Sequence, residues 1–481
     1  MSVNKKSKSI ERFVRKSFDH SLAQETPLVS LVILTRDGSH HLKNLFRYLL
    51  KNTIYKNYEI IVFDNKSSDD TISYLKSLRL NNLKIIENNF NDTFSSANNK
   101  AVSEASGELL LFLNNDIMPL HGWLNQLVKS YLNTEEVGSV GAKLIYPKDY
   151  IEQDTLKVQH NGIGFKGEIG FIRPNNLDNK KEFFDLSHNE DKAHPSVTAA
   201  CVLVSKLTFD KVGGFDESYN YGYEDVDLGL KLFTQGYKNV VANAAVLYHN
   251  EFGTQNKQDN EVVKARRKRN LEHFRNKWYR KLLDISWEDK LNGRNSLSLR
   301  NSKLTIGITV TEQGKYARAG DYFTAKELAD EFVSLGFKVR FYAQKEENWY
   351  KIHEDVDMLL VLLHGYDLSK IDCKNKGLIK AGWIRNWFDR FSDAKWFDKY
   401  DLIFSSSKRA CEYIESEKRK KAYYFPIATN EKRFGQPDTL KDASFACDYC
   451  FTGSYWHDPR EIIMMLNPED LPQYKFHLYG K

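Results

Sequence analysis

The chain has 481 residues, too many for one ordinary domain, and its 41% hydrophobic and 28% charged residues exclude a disordered or fibrous class. No run approaches the roughly 18 to 20 apolar residues that span a bilayer, and MSVNKKSKSIERFVRKSF lacks the apolar core of a signal peptide, so the expected location is cytoplasmic. Five scattered cysteines fit a reducing compartment, and Cys447 and Cys450 form a CxxC with no second pair to complete a zinc site.

The net charge of +6 is unevenly spread: Lys264 to Lys281 holds nine Lys/Arg against one acid, Glu272. Such a run suits anionic head groups, a lipid-diphosphate acceptor or nucleic acid, or a solvated helix face whose other side packs through Leu271, Phe274 and Trp278. No further motif supports nucleic acid. Near the start, Ile10, Phe13, Val14 and Phe18 share one helical face amid Lys and Arg, a surface helix for membrane or partner.

In chain order, VSLVILT (Val29 to Thr35) reads as a buried strand and RDGSHHLKNLFRYLLKN as the loop and helix after it. YEIIVFD (Tyr58 to Asp64) is the next strand, with Ser67 or Ser68 positioned to cap a helix from about Asp69. LKIIE (Leu83 to Glu87) is a third strand, followed by a helix running to Gly107. LLLFL then ends in Asn114, Asn115 and Asp116. This alternation predicts a parallel sheet with right-handed crossovers, which brings Thr35, Asp64 and Asp116 to one edge. There a carboxylate flanked by amides can hold a hard divalent cation against a diphosphate, unless NND is only an Asn/Asp turn before Pro119. Neither GxGxxG nor GxxxxGK occurs in this half, so phosphate charge would need a metal.

His121 to Leu132 reads as a helix and VGSVGAKLIYP as a strand. Residues 148 to 195 read as an irregular loop over the site, and TAACVLV (Thr198 to Val204) offers small residues for close approach. After the Gly213-Gly214 turn, a helix starting near Glu224 crowds Glu224, Asp225 and Asp227 at its N-terminus, by function or by ordinary capping. His249 lies just past a strand, where a lone histidine is commonly structural.

VILTRDG, IIVFDNKSSDDT, FSSANNKA, LLFLNNDIMP, GGFDESY…YGYEDVDLGLKL and VLYHNEFGT, in that order, resemble glycosyltransferase family 2, inverting enzymes with the GT-A fold. The resemblance implies that Thr35, Arg36 and Asp64 contact the nucleotide, with Asn98, Asn114 and Asn115 lining the nucleotide-sugar site. NND stands where the family has DxD, so Asp116 would hold Mn2+ or Mg2+, with Asn114 in place of the first acid and His249 as a further ligand. Asp225 would be the catalytic base and Glu224 would help to position the acceptor; Asp227 is the alternative base, but i+2 on a helix points about 200° away. One carboxylate on the acceptor side, taking the proton of an attacking hydroxyl, predicts a single displacement with inversion.

The second half opens a new α/β pattern at KLTIGITV and resembles, less specifically, the N-terminal Rossmann-like half of GT-B glycosyltransferases. Trp383, Trp387 and Trp396 there read as sugar-stacking or, more simply, as packing residues. The expected architecture is an α/β GT-A nucleotide-sugar-binding domain followed by a second, incomplete Rossmann-like α/β domain. Its boundaries are a basic lead-in (1–27), the GT-A domain (28–262), a basic helix and linker (263–302), a GT-B-type half (303–445) and the start of a truncated second half (446–481).

The activity this implies is transfer from a UDP- or dTDP-sugar to a glycan, lipid-linked or protein-linked acceptor in bacterial surface polysaccharide or protein glycan synthesis. Peripheral membrane contact through the basic segments and an oligomer fit this reading; nucleic acid does not. The alternatives are a decayed nucleotide-sugar-binding scaffold, for which Asn114 is the best support, and a sugar-phosphate nucleotidyltransferase, for which RDGSHH supplies too few glycines.

Overall fold

A computed structural model describes residues 3–147, 156–168, 171–186, 190–220, 222–250, 261–298, 303–375, 377–428, 449–452 and 476–479. The chain forms two compact units, Met1–Phe404 and Ser405–Lys481.

The first unit begins with α1 (Val3–Ser17) and then alternates through β1 (Val29–Thr35), α2 (Ser39–Asn52), β2 (Tyr58–Asp64), α3 (Thr71–Ser77), β3 (Leu83–Glu87), α4 (Phe94–Val102) and β4 (Leu109–Leu113). A short β5 (Ile117–Pro119), α5 (Trp123–Asn133), β6 (Val137–Ile145), β7 (Val158–His160) and the antiparallel pair β8 (Ile163–Glu168) and β9 (Phe171–Asn176) follow. The unit's first half closes with β10 (Lys192–His194), β11 (Cys201–Ser205), α6 (Lys206–Lys211), α7 (Glu224–Phe233), β12 (Lys238–His249) and the long α8 (Glu261–Leu291).

These strands make one sheet in the order β10-β12-β6-β11-β4-β1-β2-β3, with β5 on β12 and β7 on β6. Its central strands are buried on both faces. Leu109, Leu111 and Leu113 of β4 point into one core with Val29, Leu31 and Ile33 of β1 and with residues of α2 and α5, whereas Leu110 and Phe112 point into the other with residues of α4, α6 and α7.

β1 pairs in parallel with β2 and β4, and β2 with β3, as the strand–helix alternation predicts, but the sheet as a whole is mixed: β11 runs antiparallel to both β4 and β6. A short strand such as CVLVS, four apolar residues and a serine, carries no sign of its direction, which the chain path alone sets. Residues 148 to 195 are likewise not an irregular loop throughout, since β7 to β10 lie in that interval; 148–155, 169–170 and 187–189 are outside the described residues. The apolar face of α1 does not look outward. Ile10 and Val14 are buried with Leu120, Ile145, Val158 and Phe183, so the helix covers its own sheet.

A second sheet in the same unit uses β13 (Thr305–Val310), α9 (Gly320–Ser334), β14 (Lys338–Ala343), β15 (Met358–Val361), β16 (Ile379–Ile384), a short α10 (Phe388–Ser392) and β17 (Leu402–Ser405), whose last residue begins the second unit. β14, β13, β15 and β16 pair in parallel in that order, the Rossmann-like pattern expected. Trp383 is part of its core, as simple packing requires, while Trp387 is exposed beneath the Arg390 guanidinium, 4.9 Å from the ring centre. The second unit comprises α11 (Lys408–Glu417), β18 (Ala422–Tyr424) and a parallel pair, β19 (Tyr449–Thr452) with β20 (Phe476–Tyr479). Cys447 lies outside the described residues.

Candidate active site

The carboxyl ends of β1, β2 and β4 meet at one edge, and their loops are tied together side by side. In register, Thr35 faces Asp64. Asn115 Nδ2 donates to Thr35 Oγ1 at 3.0 Å, which joins the loop after β4 to the end of β1. Gly38 is required by this contact, because a Cβ there would stand 2.4 Å from Thr35 Oγ1 and 2.6 Å from Asn115 Nδ2. Asp37 Oδ1 accepts from the Ser68 amide and hydroxyl at 2.6 and 2.9 Å, and the Asp37 amide donates to Ser67 Oγ at 2.8 Å. Ser67 and Ser68 therefore clasp the neighbouring loops rather than capping α3, which starts later, at Thr71; its first amide is held by Asp69 Oδ1.

Asp64 is buried, with Oδ2 accepting from the Ser67 amide at 3.0 Å and Oδ1 left without a donor. Asn65, not singled out in the sequence, holds the β3–α4 loop: its Oδ1 accepts from the Asp92 amide at 2.9 Å and its Nδ2 donates to the Asp92 carbonyl at 2.8 Å. Asn98 is buried, but its amide donates to the Phe94 carbonyl of its own helix at 2.9 Å. Arg36 is exposed, with Nε 3.7 Å from Asp37.

Asp116 and His249 come together because β5 pairs antiparallel with the end of β12, His249 opposite Ile117. The Asn250 amide donates to the Asp116 carbonyl at 3.2 Å and closes that corner. His249 Nδ1 lies 2.8 Å from Gln159 Oε1, an acceptor, so in the neutral ring Nε2 carries the lone pair. That lone pair faces Asp116 Oδ1 at 3.4 Å, and Oδ1 is buried with no hydrogen-bond donor. With His249 neutral, its Nε2 and the Asp116 carboxylate would together offer a nitrogen–oxygen pair of the kind that holds a divalent cation. Among the described residues no group of three or more His, Cys, Asp and Glu could share a metal, so further ligands would come from a bound diphosphate or water.

The short strand β7 supports both sides of the site. Gln159 orients His249, and the next residue, His160, accepts from the Thr198 amide at 3.4 Å through Nε2. Burial holds His160 in its neutral form, its pKa lowered to about 4. The segment it supports, Thr198 to Ala200, joins the two halves of the site: the Ala200 carbonyl accepts from the Asn114 amide at 3.0 Å, and the Ala199 amide donates to Asp225 Oδ2 at 3.3 Å. Neither Gln159 nor His160 stood out in the sequence, because a three-residue strand inside a polar stretch leaves no periodic signal.

Asp225 and Glu224 open α7 as expected. Asp225 Oδ1 accepts from the Val226 amide at 2.8 Å; burial nonetheless raises its pKa above the usual carboxylate range, against these bonds. Glu224 is buried, its Oε2 has no donor, and desolvation with the adjacent Asp225 pushes its pKa up to about 8. Asp227 has a different place. Fully buried, it accepts from Trp278 Nε1 at 2.7 Å and pairs with Lys277 at 2.8 Å and Lys231 at 3.3 Å. It anchors α8 to α7 and is not available as a base. The basic run of α8 thus packs one side, with Phe274 and Trp278 buried, while Lys264, Arg267 and Lys268 are exposed.

Comparison with known proteins bears on this geometry. Residues 30–194 match the family model for glycosyl transferase family 2. The chain is 31% identical over 258 residues to the uncharacterized protein y4gI of Sinorhizobium fredii, covering 53% of this chain and 28% of that protein. It is 34% identical over 234 residues to the O-antigen biosynthesis protein RfbC of Myxococcus xanthus, covering 47% of this chain and 17% of that protein. It is 24% identical over 249 residues to an N-acetylglucosaminyl-diphospho-decaprenol L-rhamnosyltransferase of Mycobacterium tuberculosis, covering 48% of this chain and 78% of that enzyme. The chain spans less than a third of the length of the first two relatives. The family match falls on the sheet edge where Thr35, Asp64 and Asp116 meet, so residues 30–194 form a domain of the glycosyltransferase family 2 type.

Proposed function

We propose that the GT-A domain is an inverting, metal-assisted glycosyltransferase that moves a sugar from a nucleoside-diphosphate donor to an acceptor hydroxyl in surface-glycan synthesis. The observation that carries this reading is the pairing, across the Thr198–Ala200 segment, of Asp116 and His249, 3.4 Å apart, with a buried carboxylate, Asp225. Thr35 and the donorless Oδ1 of Asp64 would receive the nucleotide, and Asn114 and Asn115 would line the diphosphate path.

Asp116 and His249 would hold Mn2+ or Mg2+, which when bound stabilises the charge that grows on the leaving diphosphate. Asp225, on the other side of Thr198–Ala200, takes the proton from the acceptor hydroxyl as it attacks the face of the anomeric carbon opposite the diphosphate. Glu224 beside it carries a proton near neutral pH and can donate a hydrogen bond to the acceptor. Relatives named for O-antigen synthesis and for rhamnosyl transfer to a lipid diphosphate support a glycan acceptor carried on a lipid. Among the described residues no helix is long and apolar enough to cross a membrane.

The test is thermal unfolding of the full chain with a panel of nucleoside diphosphates and nucleotide sugars, with and without Mn2+. One nucleotide should stabilise the protein only with metal present, and Asp116→Ala should abolish that increment. Stabilisation by none of them would favour a scaffold that has lost its donor site.

A further inference from the structure

The residue that meets His249 reaches it through an irregularity of the sheet. β7 pairs antiparallel with β6 so that Leu144 faces His160 while the next residue, Ile145, faces Val158, which makes Gln159 the extra residue of a bulge. A bulge re-aims the side chain it carries. Val158 stays in the core with Ile145 and Tyr248, and Gln159, only 2% exposed, turns its amide to His249 Nδ1 at 2.8 Å.

The bulge is held from both sides. The Val158 amide donates to the Lys181 carbonyl at 2.9 Å, and the Val158 carbonyl accepts from the Lys180 amide at 2.7 Å. The Gln159 carbonyl accepts from Asn179 Nδ2 at 3.0 Å. On the far side His160 Nε2 accepts from the Gly162 amide at 3.2 Å, and its Nδ1 lies 3.2 Å from Asn176 Oδ1. Gln159 therefore meets His249 from a fixed backbone.

The partner at one ring nitrogen sets the tautomer and orientation of an imidazole and the strength of its other nitrogen as a donor. A carboxylate there would strengthen the donor and bring a second negative charge; an amide oxygen fixes the tautomer and brings none. Asp116 and His249 then offer one negative charge to a doubly charged ion, with Asn114 and Asn115 neutral beside them.

We propose that Gln159 is a positioning residue for the cation. It holds His249 in the tautomer whose Nε2 lone pair faces Asp116, and its neutrality keeps the pair too weakly charged to retain Mn2+ or Mg2+ until a diphosphate adds its own oxygens. The inference rests on the metal-assisted reading and deepens it: the ion enters with the nucleotide instead of residing in the protein, and a side chain that touches neither nucleotide nor sugar sets that order.

Free Mn2+ gives a six-line electron paramagnetic resonance signal that is lost on binding, so titrating the full chain with Mn2+ alone reads the affinity. Gln159→Glu, which keeps an acceptor at Nδ1 and adds a charge, should bind Mn2+ about tenfold or more tightly than the parent. Asp116→Ala in that background should remove the gain. Gln159→Leu, with no acceptor, should bind more weakly than the parent, and thermal unfolding in EDTA checks that each variant folds. No gain in Gln159→Glu overturns the proposal. A loss there does so too, because it would mean that Gln159 serves through its amide nitrogen, and so does a gain that survives Asp116→Ala, because the new carboxylate would then hold the ion itself. A parent that binds Mn2+ alone with a Kd of about 1 μM or below overturns it as well. Nucleotide stabilisation with Mn2+, measured on the same samples, separates the two readings. If a nucleotide stabilises the parent through Asp116 and neither Gln159 variant alters Mn2+ affinity, only the role of Gln159 fails. If Gln159→Glu gains Mn2+ through Asp116 and no nucleotide stabilises any of the proteins, the glycosyltransferase reading fails and the hold of Gln159 on His249 stands.

Discussion

Two neighbouring carboxylates on α7 are both pushed up by burial, and the pH dependence of the protein follows. Burial raises Asp225, and the reaction needs it ionised, so the rate should fall on the acid side at a pH above the usual carboxylate range. Asp225→Asn should abolish transfer while leaving metal-dependent nucleotide binding within about twofold, since the Asn keeps the contact to the Ala199 amide. Equal loss of both would make Asp225 a structural acid. For Glu224 the sign is that of a carboxyl whose folded pKa is raised, to about 8: the folded state loses stability as pH climbs from the ordinary carboxylate value through 8. Glu224→Gln should therefore gain thermal stability relative to the parent as pH rises from about 5 to 8, and no such gain would show that the Glu224 carboxyl is not raised. Thr35, Asp64, Asp116 and Asp225 were legible in the sequence because each sits at the end of a strongly patterned element. Gln159 and His160 were not, since their role depends on a three-residue strand that pairs with β6. Nor could spacing alone decide between Asp225 and Asp227; the Trp278 and Lys277 contacts that occupy Asp227 come from a helix about fifty residues on.

At the scale of elements, the site depends on how closely α7 approaches the segment before β11. Gly229 makes that approach: a Cβ there would stand 2.1 Å from Ser196 Oγ and 2.7 Å from Ser196 Cα. Ser196 Oγ in turn donates to the Asp225 carbonyl at 3.0 Å. Gly229→Ala should destabilise the protein by about 1–3 kcal/mol in denaturant unfolding, because overpacking outweighs the roughly 1 kcal/mol of helix propensity that alanine adds. It should also slow turnover more than it weakens nucleotide binding, since it shifts α7 and not the Thr35 edge. A variant as stable and active as the parent would show that α7 can give way without moving Asp225. Strand positions in the first half could be read from alternation and apolar runs. The reversal of β11 could not, because direction is a property of the connection and not of the strand.

Across the whole molecule, α8 is the element that the two sheets of the first unit share. Its early turns carry Asn270, Phe274, Lys277 and Trp278 against α7, and its last turns carry Trp287 to the core of the second sheet and Lys290 to Asp357 at 2.5 Å. The basic composition of this stretch drew attention in the sequence; its two-ended packing was not visible there, because each end is defined by partners far along the chain. Both ends face their partners only if the turns between them keep phase. One residue inserted after Asp284 would rotate the second end by about 100°, and four residues would restore the phase with a shift of about 6 Å along the axis. The single insertion should lower the unfolding temperature more than the fourfold one, and the reverse order would show that the two ends do not depend on a common helix. A connector of this kind behaves as a ruler graduated in whole turns. Its length can drift among relatives only in steps of three or four residues, which leaves a footprint to look for in the spacing between Trp278 and Trp287.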